Sequence, residues 1–256
     1  MFKRAIMESG ARLYNKDRDV LNTTEALLEA KQMARLMNCS ESEDWLKCLR
    51  KADGMAVINL DNALIVSVLG TEFLPISAQK AFETKKFNSD IDLLAGVVRN
   101  EGSSFVPYVV KHPHNITVED FTNGVQELDL IFHGVDVKKV TDFYLQNVNT
   151  SSPVAMHWAV GDLSGDLMLT CPTYLFAKQF AITVKEWQRV YFYELLYGSK
   201  RFSQIIGCDQ KTEGICHAED IPFVFGLPYI HEKDYEPEDM FFSREVMKMW
   251  TKFAKD

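Results

Sequence analysis

The sequence predicts an α/β fold in which residues 1 to 256 form one unit. Three short apolar runs indicate buried strands: "RAIMES" (residues 4 to 9), "DLLAGVV" (92 to 98) and the aromatic-rich "RVYFYELLYG" (189 to 198). Runs of this length, ended by glycine or polar residues, are typical of strands. Mainly helical segments and polar loops lie between the second and third runs. Because no internal repeat or linker divides the chain, a single unit of strands and helices is expected.

The first helix is predicted over residues 22 to 37. Asn22 followed three residues later by Glu25 is the pattern of a capping box, in which each side chain bonds the other residue's backbone. Ser40 and Glu43 repeat this pattern and predict the start of a second helix. One face of the first helix is apolar, through Leu27, Ala30, Ala34 and Met37.

The last helix is predicted over "FSREVMKMWTKFAKD", residues 242 to 256. Its apolar residues recur at helical spacing and are expected to pack into the core: Val246, Met249, Trp250 and Phe253. Such a stripe is more often core than part of a cofactor site.

Composition excludes several classes of function. The chain is 46% hydrophobic and 25% charged, as in globular proteins, and its net charge is −8 with no basic cluster. A protein that binds nucleic acid needs a positively charged surface to neutralise phosphates, so no nucleic-acid partner is expected. No run of about 18 apolar residues occurs, so no membrane span is expected. The sequence leaves the oligomeric state open.

Glycosylation sequons favour a secretory protein. The chain has four sequons, where chance supplies about one or two. Their asparagines are Asn22, Asn38, Asn115 and Asn149. The first ten residues reach Glu8 after three apolar residues, too few for a signal peptide. The expected location is therefore extracellular or in the lumen of the endoplasmic reticulum, with the signal peptide encoded upstream of Met1.

The cysteines support the same compartment. Cys39 and Cys48 bracket a short acidic loop of the size that a local disulfide closes, although two reduced cysteines near a helix start remain the alternative. For Cys171, Cys208 and Cys216 several pairings are open, and an odd number of cysteines leaves one over.

Two polar residues follow predicted strands. Glu101 comes just after "DLLAGVV", and His217 comes after "RVYFYELLYG" and a connecting stretch. Ligands and catalytic groups collect at the carboxyl ends of strands in open α/β sheets, so both residues are candidate catalytic groups. A solvated turn glutamate and a structural histidine are the alternatives. Their order matches the end of the Ser…Asp/Glu…His order of α/β-hydrolases.

Five segments resemble landmarks of the type-B carboxylesterase and cholinesterase family. In chain order they are "FKRAIMESGA", "GTEFLP", "LLAGVVRNEGSSF", "VGDLSGDLMLTCP" and "GICHAEDIPFVFGLPY". The resemblance implies an α/β-hydrolase fold, of which this chain is the C-terminal portion of the mostly parallel central sheet with its covering helices. It also implies that Glu101 and His217 are two members of a catalytic triad, and that Cys39 and Cys48 close the family's small disulfide loop.

The resemblance further implies a serine esterase that acts on small-molecule carboxylic esters without metal or organic cofactor. In the family the nucleophile lies on a Gly-x-Ser-x-Gly turn upstream of "FKRAIMESG". Ser9 and Ser164 lack the glycine spacing of that turn. The sequence is therefore interpreted as a fragment that is inactive alone.

Two departures limit the inference of substrate and function. The family cysteine that resembles Cys171 usually has a partner in the last helix, where this chain has none. Cholinesterases usually carry neighbouring aromatic residues after the glutamate, whereas here Ser103 and Ser104 precede Phe105, the one ring expected in the substrate pocket. The alternative function is that of family members without the serine, which act as adhesion or binding proteins.

Overall fold

The computed structural model describes residues 2–11, 13, 21–39, 44–60, 67–132, 134–184 and 186–255. The strands are β1 (Arg4–Glu8), β2 (Leu21–Asn22), β3 (Val68–Leu69), β4 (Asp92–Val98) and β5 (Val190–Leu195). The helices are α1 (Thr23–Leu36), α2 (Trp45–Leu49), α3 (Gly54–Ile58), α4 (Ala78–Thr84), α5 (Val106–Val109), α6 (Val118–Phe132), α7 (Val137–Tyr144), α8 (Pro153–Gly165), α9 (Cys171–Thr183), α10 (Lys200–Ile206), α11 (Ile221–Val224), α12 (Leu227–Ile230) and α13 (Pro237–Lys255).

The chain forms two compact units. One consists of Met1–Asn15 with Phe82–Asp256, and the other of Lys16–Ala81. Within the described ranges, no helix combines the length and the apolar character that crossing a bilayer requires.

The Lys16–Ala81 unit contains a two-stranded parallel sheet of β2 and β3, with α1 following β2. The predicted capping box is confirmed: Asn22 Oδ1 accepts hydrogen bonds from the backbone N–H groups of Thr24 and Glu25, and Glu25 Oε2 accepts one from Asn22 N. The apolar face of α1 is only partly covered, since Ala34 is buried but Leu27 is 48% exposed.

The second helix of this unit is the short α2. The residues predicted to cap it, Ser40 and Glu43, lie outside the described residues. Cys39 and Cys48 form a disulfide with 5.7 Å between their Cα atoms.

The three predicted strands of the larger unit form one parallel sheet in the order β1-β4-β5. In the register, Ile6 lies opposite Leu94, and Leu94 lies opposite Tyr191. Strand β4 is central and almost wholly buried, as its uninterrupted apolar sequence predicts for a strand covered on both faces. Strands β1 and β5 lie at the edges of this sheet and are less buried than predicted.

Helices cover both faces of this sheet. Adjacent side chains of a strand point to opposite faces, and on β5 the Phe192 ring packs against Tyr174 of α9 while the Tyr193 ring packs against Trp250 of α13. The ring centroids lie 5.6 and 5.1 Å apart. The predicted α/β architecture is therefore confirmed in the described part of the chain.

The last helix differs from the prediction in two respects. Helix α13 begins at Pro237, five residues before the predicted start at residue 242. Val246 is buried as predicted, whereas Met249 is 55% exposed. Both line an open cavity of about 640 Å³ between α13 and β5. All four residues of the apolar stripe of α13 line this cavity, and Val246 is the one of them that is buried.

Candidate active site

The carboxylate of Glu101 is buried at the carboxyl end of β4. Its Oε1 atom accepts a 2.8 Å hydrogen bond from the backbone N–H of Val98, the last residue of the strand. The hydroxyl of Ser9, which follows β1, donates to the same oxygen. Oε1 therefore accepts hydrogen bonds from residues at the ends of two neighbouring strands, and Oε2 is left to accept a hydrogen bond from another group.

Small residues of α8 support the loop that carries Glu101. Gly102 lies so close to this helix that a Cβ atom there would overlap the carbonyl oxygen of Gly161 and the nitrogen of Gly165. The hydroxyl of Ser164 donates to the carbonyl oxygens of Gly102 and Gly161, at 3.1 Å each. The helix and the loop can approach this closely only because both surfaces lack large side chains.

His217 meets the second oxygen of Glu101. Its Nδ1 atom lies 2.7 Å from Glu101 Oε2, and the imidazole is 37% exposed. A carboxylate can only accept, so Nδ1 carries the proton and donates it. In the neutral ring this leaves Nε2 as the basic nitrogen.

The two loops that carry the pair are joined directly. The backbone N–H of Asn100 donates to Ile215 O, and the N–H of Ile215 donates to Asn100 Oδ1, both at 3.0 Å. Asn100 and Cys216 form an isolated parallel bridge. These bonds join the two loops just before Glu101 and His217.

The environment raises the pKa of His217. The hydrogen bond to Glu101 is the largest cause, because it stabilises the imidazolium; burial opposes it, and the charges of Glu101 and Asp220 reinforce it. Burial raises the pKa of Asp220, whose Oδ2 accepts a 3.4 Å hydrogen bond from the Tyr193 hydroxyl. The surroundings of His217 therefore stabilise its imidazolium form more than water does.

Phe105 lies beside the histidine. Its ring centroid is 5.7 Å from that of His217, with 43° between the ring planes. The side chain is partly buried. It is an apolar neighbour of the imidazole.

Ser9 is the site residue that the sequence analysis missed. The serine was considered only as a nucleophile, whereas its hydroxyl is buried and donates to Glu101. The strand-end rule that identified Glu101 also applies to Ser9, which follows the strand "RAIME".

The remaining cysteines resolve into one pair and one free thiol. Cys208 and Cys216 form a disulfide immediately before His217, and Cys171 is free and exposed. Cys208, Glu213 and Cys216 bring potential ligand atoms within 4.8 Å of one another. In the disulfide state the sulfurs are not thiolates, so this group offers a metal a single carboxylate.

The four sequon asparagines are all exposed: Asn22, Asn38, Asn115 and Asn149. Asn22 also caps α1, but it does so through Oδ1. Its side-chain amide nitrogen, to which a glycan would be attached, is not used in the cap.

A parallel sheet covered by helices on both faces, with a buried carboxylate after its central strand and a histidine hydrogen-bonded to that carboxylate, is the arrangement of an α/β-hydrolase. The carboxylesterase family model matches residues 1–256, and the chain belongs to this family.

Similar proteins include three animal hydrolases. The chain is 27% identical over 278 residues to a cholinesterase of Mus musculus and 27% identical over 267 residues to an acylcarnitine hydrolase of Rattus norvegicus. It is 26% identical over 292 residues to an acetylcholinesterase of Electrophorus electricus. These alignments cover 99 to 100% of the chain but 43, 45 and 46% of the three relatives. The chain therefore spans less than half the length of these relatives.

Proposed function

We propose that this chain supplies the acidic and basic members of a serine esterase triad, Glu101 and His217, to a protein that hydrolyses small-molecule carboxylic esters. The 2.7 Å contact between Glu101 Oε2 and His217 Nδ1 carries the proposal. It leaves Nε2 able to accept a proton, which is the arrangement that activates a serine hydroxyl.

The reaction has two steps, acylation and deacylation, and in each step His217 accepts one proton and then donates it. Nε2 takes the proton of the serine as its oxygen attacks the ester carbonyl, and then gives it to the departing alcohol, which leaves an acyl-enzyme. Water then attacks the acyl group with Nε2 again as the base, releasing the acid and the free serine. Glu101 keeps the ring in the correct tautomer and stabilises the imidazolium. No step needs a metal or an organic cofactor.

The nucleophile of this proposal lies outside the 256 residues, which contain no Gly-x-Ser-x-Gly segment. Ser9 and Ser164 are occupied in other ways: Ser9 donates to Glu101, and Ser164 donates to Gly102 and Gly161. Because the oxyanion-hole donors accompany the nucleophile in this fold, the 256-residue chain alone is expected to hydrolyse no ester at a rate due to a triad.

Phe105 supports a preference for esters with an apolar portion. It is the ring that lies against His217, and its single aromatic face offers less cation–π attraction than a pair of rings. We therefore propose a general carboxylic ester substrate rather than a choline ester.

The test compares the chain alone with the chain extended upstream through a Gly-x-Ser-x-Gly segment. Both proteins are purified free of host esterases and assayed with short-chain aryl and choline esters. The extended protein is expected to turn over aryl esters, and His217→Ala is expected to remove that activity. Glu101→Gln should lower kcat on the order of 10⁴-fold, because glutamine no longer holds the His217 ring in the tautomer with its proton on Nδ1.

His112→Ala is the matched control, since His112 Nδ1 also lies near a carboxylate, Asp120, at 3.3 Å but on the surface. It is expected to leave turnover unchanged. Turnover by the chain alone that His217→Ala abolishes would contradict the proposed source of the nucleophile. An upstream segment in which the serine is replaced, together with no turnover by the extended protein, would favour the adhesion or binding function instead.

A further inference from the structure

The segment that carries His217 is anchored on both sides of the histidine. Residues 207–220 connect α10 to α11, and the ring of His217 is partly exposed within this loop. Loops with an exposed side chain usually move more than the strands and helices they connect. The pair with Glu101 therefore depends on what holds this loop.

The upstream anchor is the Cys208–Cys216 disulfide. Cys216 is fully buried and directly precedes His217, while Cys208 follows the end of α10. The Cys216 Sγ atom also lies 3.4 Å from the hydroxyl of Ser103, in the loop of Glu101. The disulfide thus connects α10 to the point where the two catalytic loops meet.

The downstream anchor is the carboxyl group of Glu219. It is fully buried, and Oε1 accepts a hydrogen bond from the hydroxyl of Ser203 on α10. Gln210 Nε2 donates to the same hydroxyl at 2.7 Å. Both anchors of the loop therefore lead to α10.

Between the anchors the backbone is in an unfavourable conformation. Ala218 has a φ of 78°, in the left-handed region that residues with a Cβ atom rarely adopt. Such a conformation persists only where the surroundings enforce it. The turn at Ala218 lies directly between the two anchored residues, Cys216 and Glu219.

We propose that the Cys208–Cys216 disulfide positions His217 against Glu101, so that opening this bond with a thiol reductant in vitro separates the imidazole from the carboxylate. This proposal rests on the proposed function in assigning His217 the role of base. A reductant thiolate attacks one sulfur of the disulfide and displaces the other as a thiolate. The second reductant thiol then closes the reductant's own disulfide. Two electrons and two protons end on Cys208 and Cys216 as thiols.

The test follows the imidazole of His217 by NMR as a function of pH in the 256-residue chain. Cys39→Ser, Cys48→Ser and Cys171→Ala are introduced together, so that Cys208–Cys216 is the one remaining disulfide. Oxidised protein is compared with protein treated with dithiothreitol. The charged groups that act on His217 among the described residues are Glu101 and Asp220, and neither is altered by the treatment.

The oxidised protein is expected to keep the raised pKa of His217, and reduction is expected to move that pKa down towards the ordinary histidine value. The Cys208→Ser, Cys216→Ser double variant should reproduce the reduced state without reductant. The untreated wild-type chain, with both disulfides, should match the oxidised triple variant. In the extended, esterase-competent protein, the same reduction should lower kcat on the order of 10²-fold with little change in KM.

An unchanged pKa of His217 after reduction, in protein whose amide spectrum shows it is folded, would overturn the proposal. Global unfolding of both the reduced protein and the double variant would overturn it as well, because the disulfide would then have a general structural role. The titration needs no ester turnover. An inactive extended protein would therefore refute the proposed function while leaving the positioning result intact.

Discussion

Ala218 turns the backbone into the left-handed region directly after His217, with a φ of 78°. The turn aims the imidazole at Glu101 and lets the chain continue to the buried Glu219. A conformation that is costly for alanine is thus located at the residue next to the candidate base.

Replacing this alanine by glycine should stabilise the larger unit. Glycine adopts a positive φ without a Cβ clash, so Ala218→Gly is expected to raise the free energy of unfolding by about 1 kcal/mol. Urea denaturation followed by circular dichroism measures the change. Ala177→Gly, in the interior of α9, is the control with the opposite expected sign, a loss of at least about 1 kcal/mol because helix propensity and the burial of a methyl group are both lost. A destabilised Ala218→Gly variant would contradict the inferred strain.

Removing the charge of Glu101 should lower the pKa of His217. The hydrogen bond from His217 to this carboxylate is the largest cause of the upward shift, and glutamine keeps the shape of the side chain without its charge. NMR titration of Glu101→Gln tests this. Glu127→Gln, on the exposed surface of α6, should leave the pKa of His217 unchanged.

The His217 contact should make stability depend on pH with a definite sign. Because the folded-state pKa lies above the unfolded value of 6.5, the contribution of His217 is complete below pH 6.5 and is lost as pH rises through the folded-state pKa. The difference in unfolding free energy between wild type and His217→Gln is therefore expected to be largest at low pH. Denaturation curves over a pH series measure it, and a difference that grows with rising pH would contradict the contact.

The Cys39–Cys48 disulfide should stabilise the Lys16–Ala81 unit. The two cysteines are nine residues apart, and closing so short a loop contributes about 2–3 kcal/mol. The double variant Cys39→Ser, Cys48→Ser is expected to lose this amount of unfolding free energy in denaturation experiments.

Non-reducing peptide mapping of material made through the secretory route should recover the two cysteines in one linked peptide, and two free thiols would argue against the predicted compartment.

At least one sequon asparagine should carry a glycan in native material. All four asparagines are exposed, so none requires the fold to open for modification. Treatment with a glycosidase is expected to lower the mass of the protein. Substitution of each asparagine by glutamine assigns the site, and an unchanged mass in every case would count against secretion.

Much of the sheet could be predicted from the sequence because its strands are distinct apolar runs. "DLLAGVV" is buried on both faces, and its composition shows it. The order β1-β4-β5 could not be predicted, since register and neighbours are set by contacts between segments far apart in sequence. The early start of α13 had a local signal, a proline at the first helical position followed by Glu238 and Asp239.

The sequence predicted that Glu101 and His217 lie close together, but not the contacts that support them. Strand ends indicated Glu101 and His217, because carboxyl ends of parallel strands share one edge of a sheet. No comparable rule predicts the disulfide between Cys208 and Cys216, since three cysteines allow several pairings. The exposure of Met249 could not be predicted from the sequence either. An apolar stripe shows which side of a helix is apolar, but not whether another segment covers it.

The close packing of Gly102 on α8 gives the Glu101 loop a helix as its backbone support. Residues after a strand normally fluctuate on the nanosecond scale, whereas this backbone touches Gly161 and Gly165 with no side chain between them. Folding then sets the carboxyl group of Glu101 in place. Under the proposed function, a substrate would bind to a loop that is already ordered. The histidine loop is supported differently, by a covalent bond between two cysteines and by hydrogen bonds between Ile215 and Asn100.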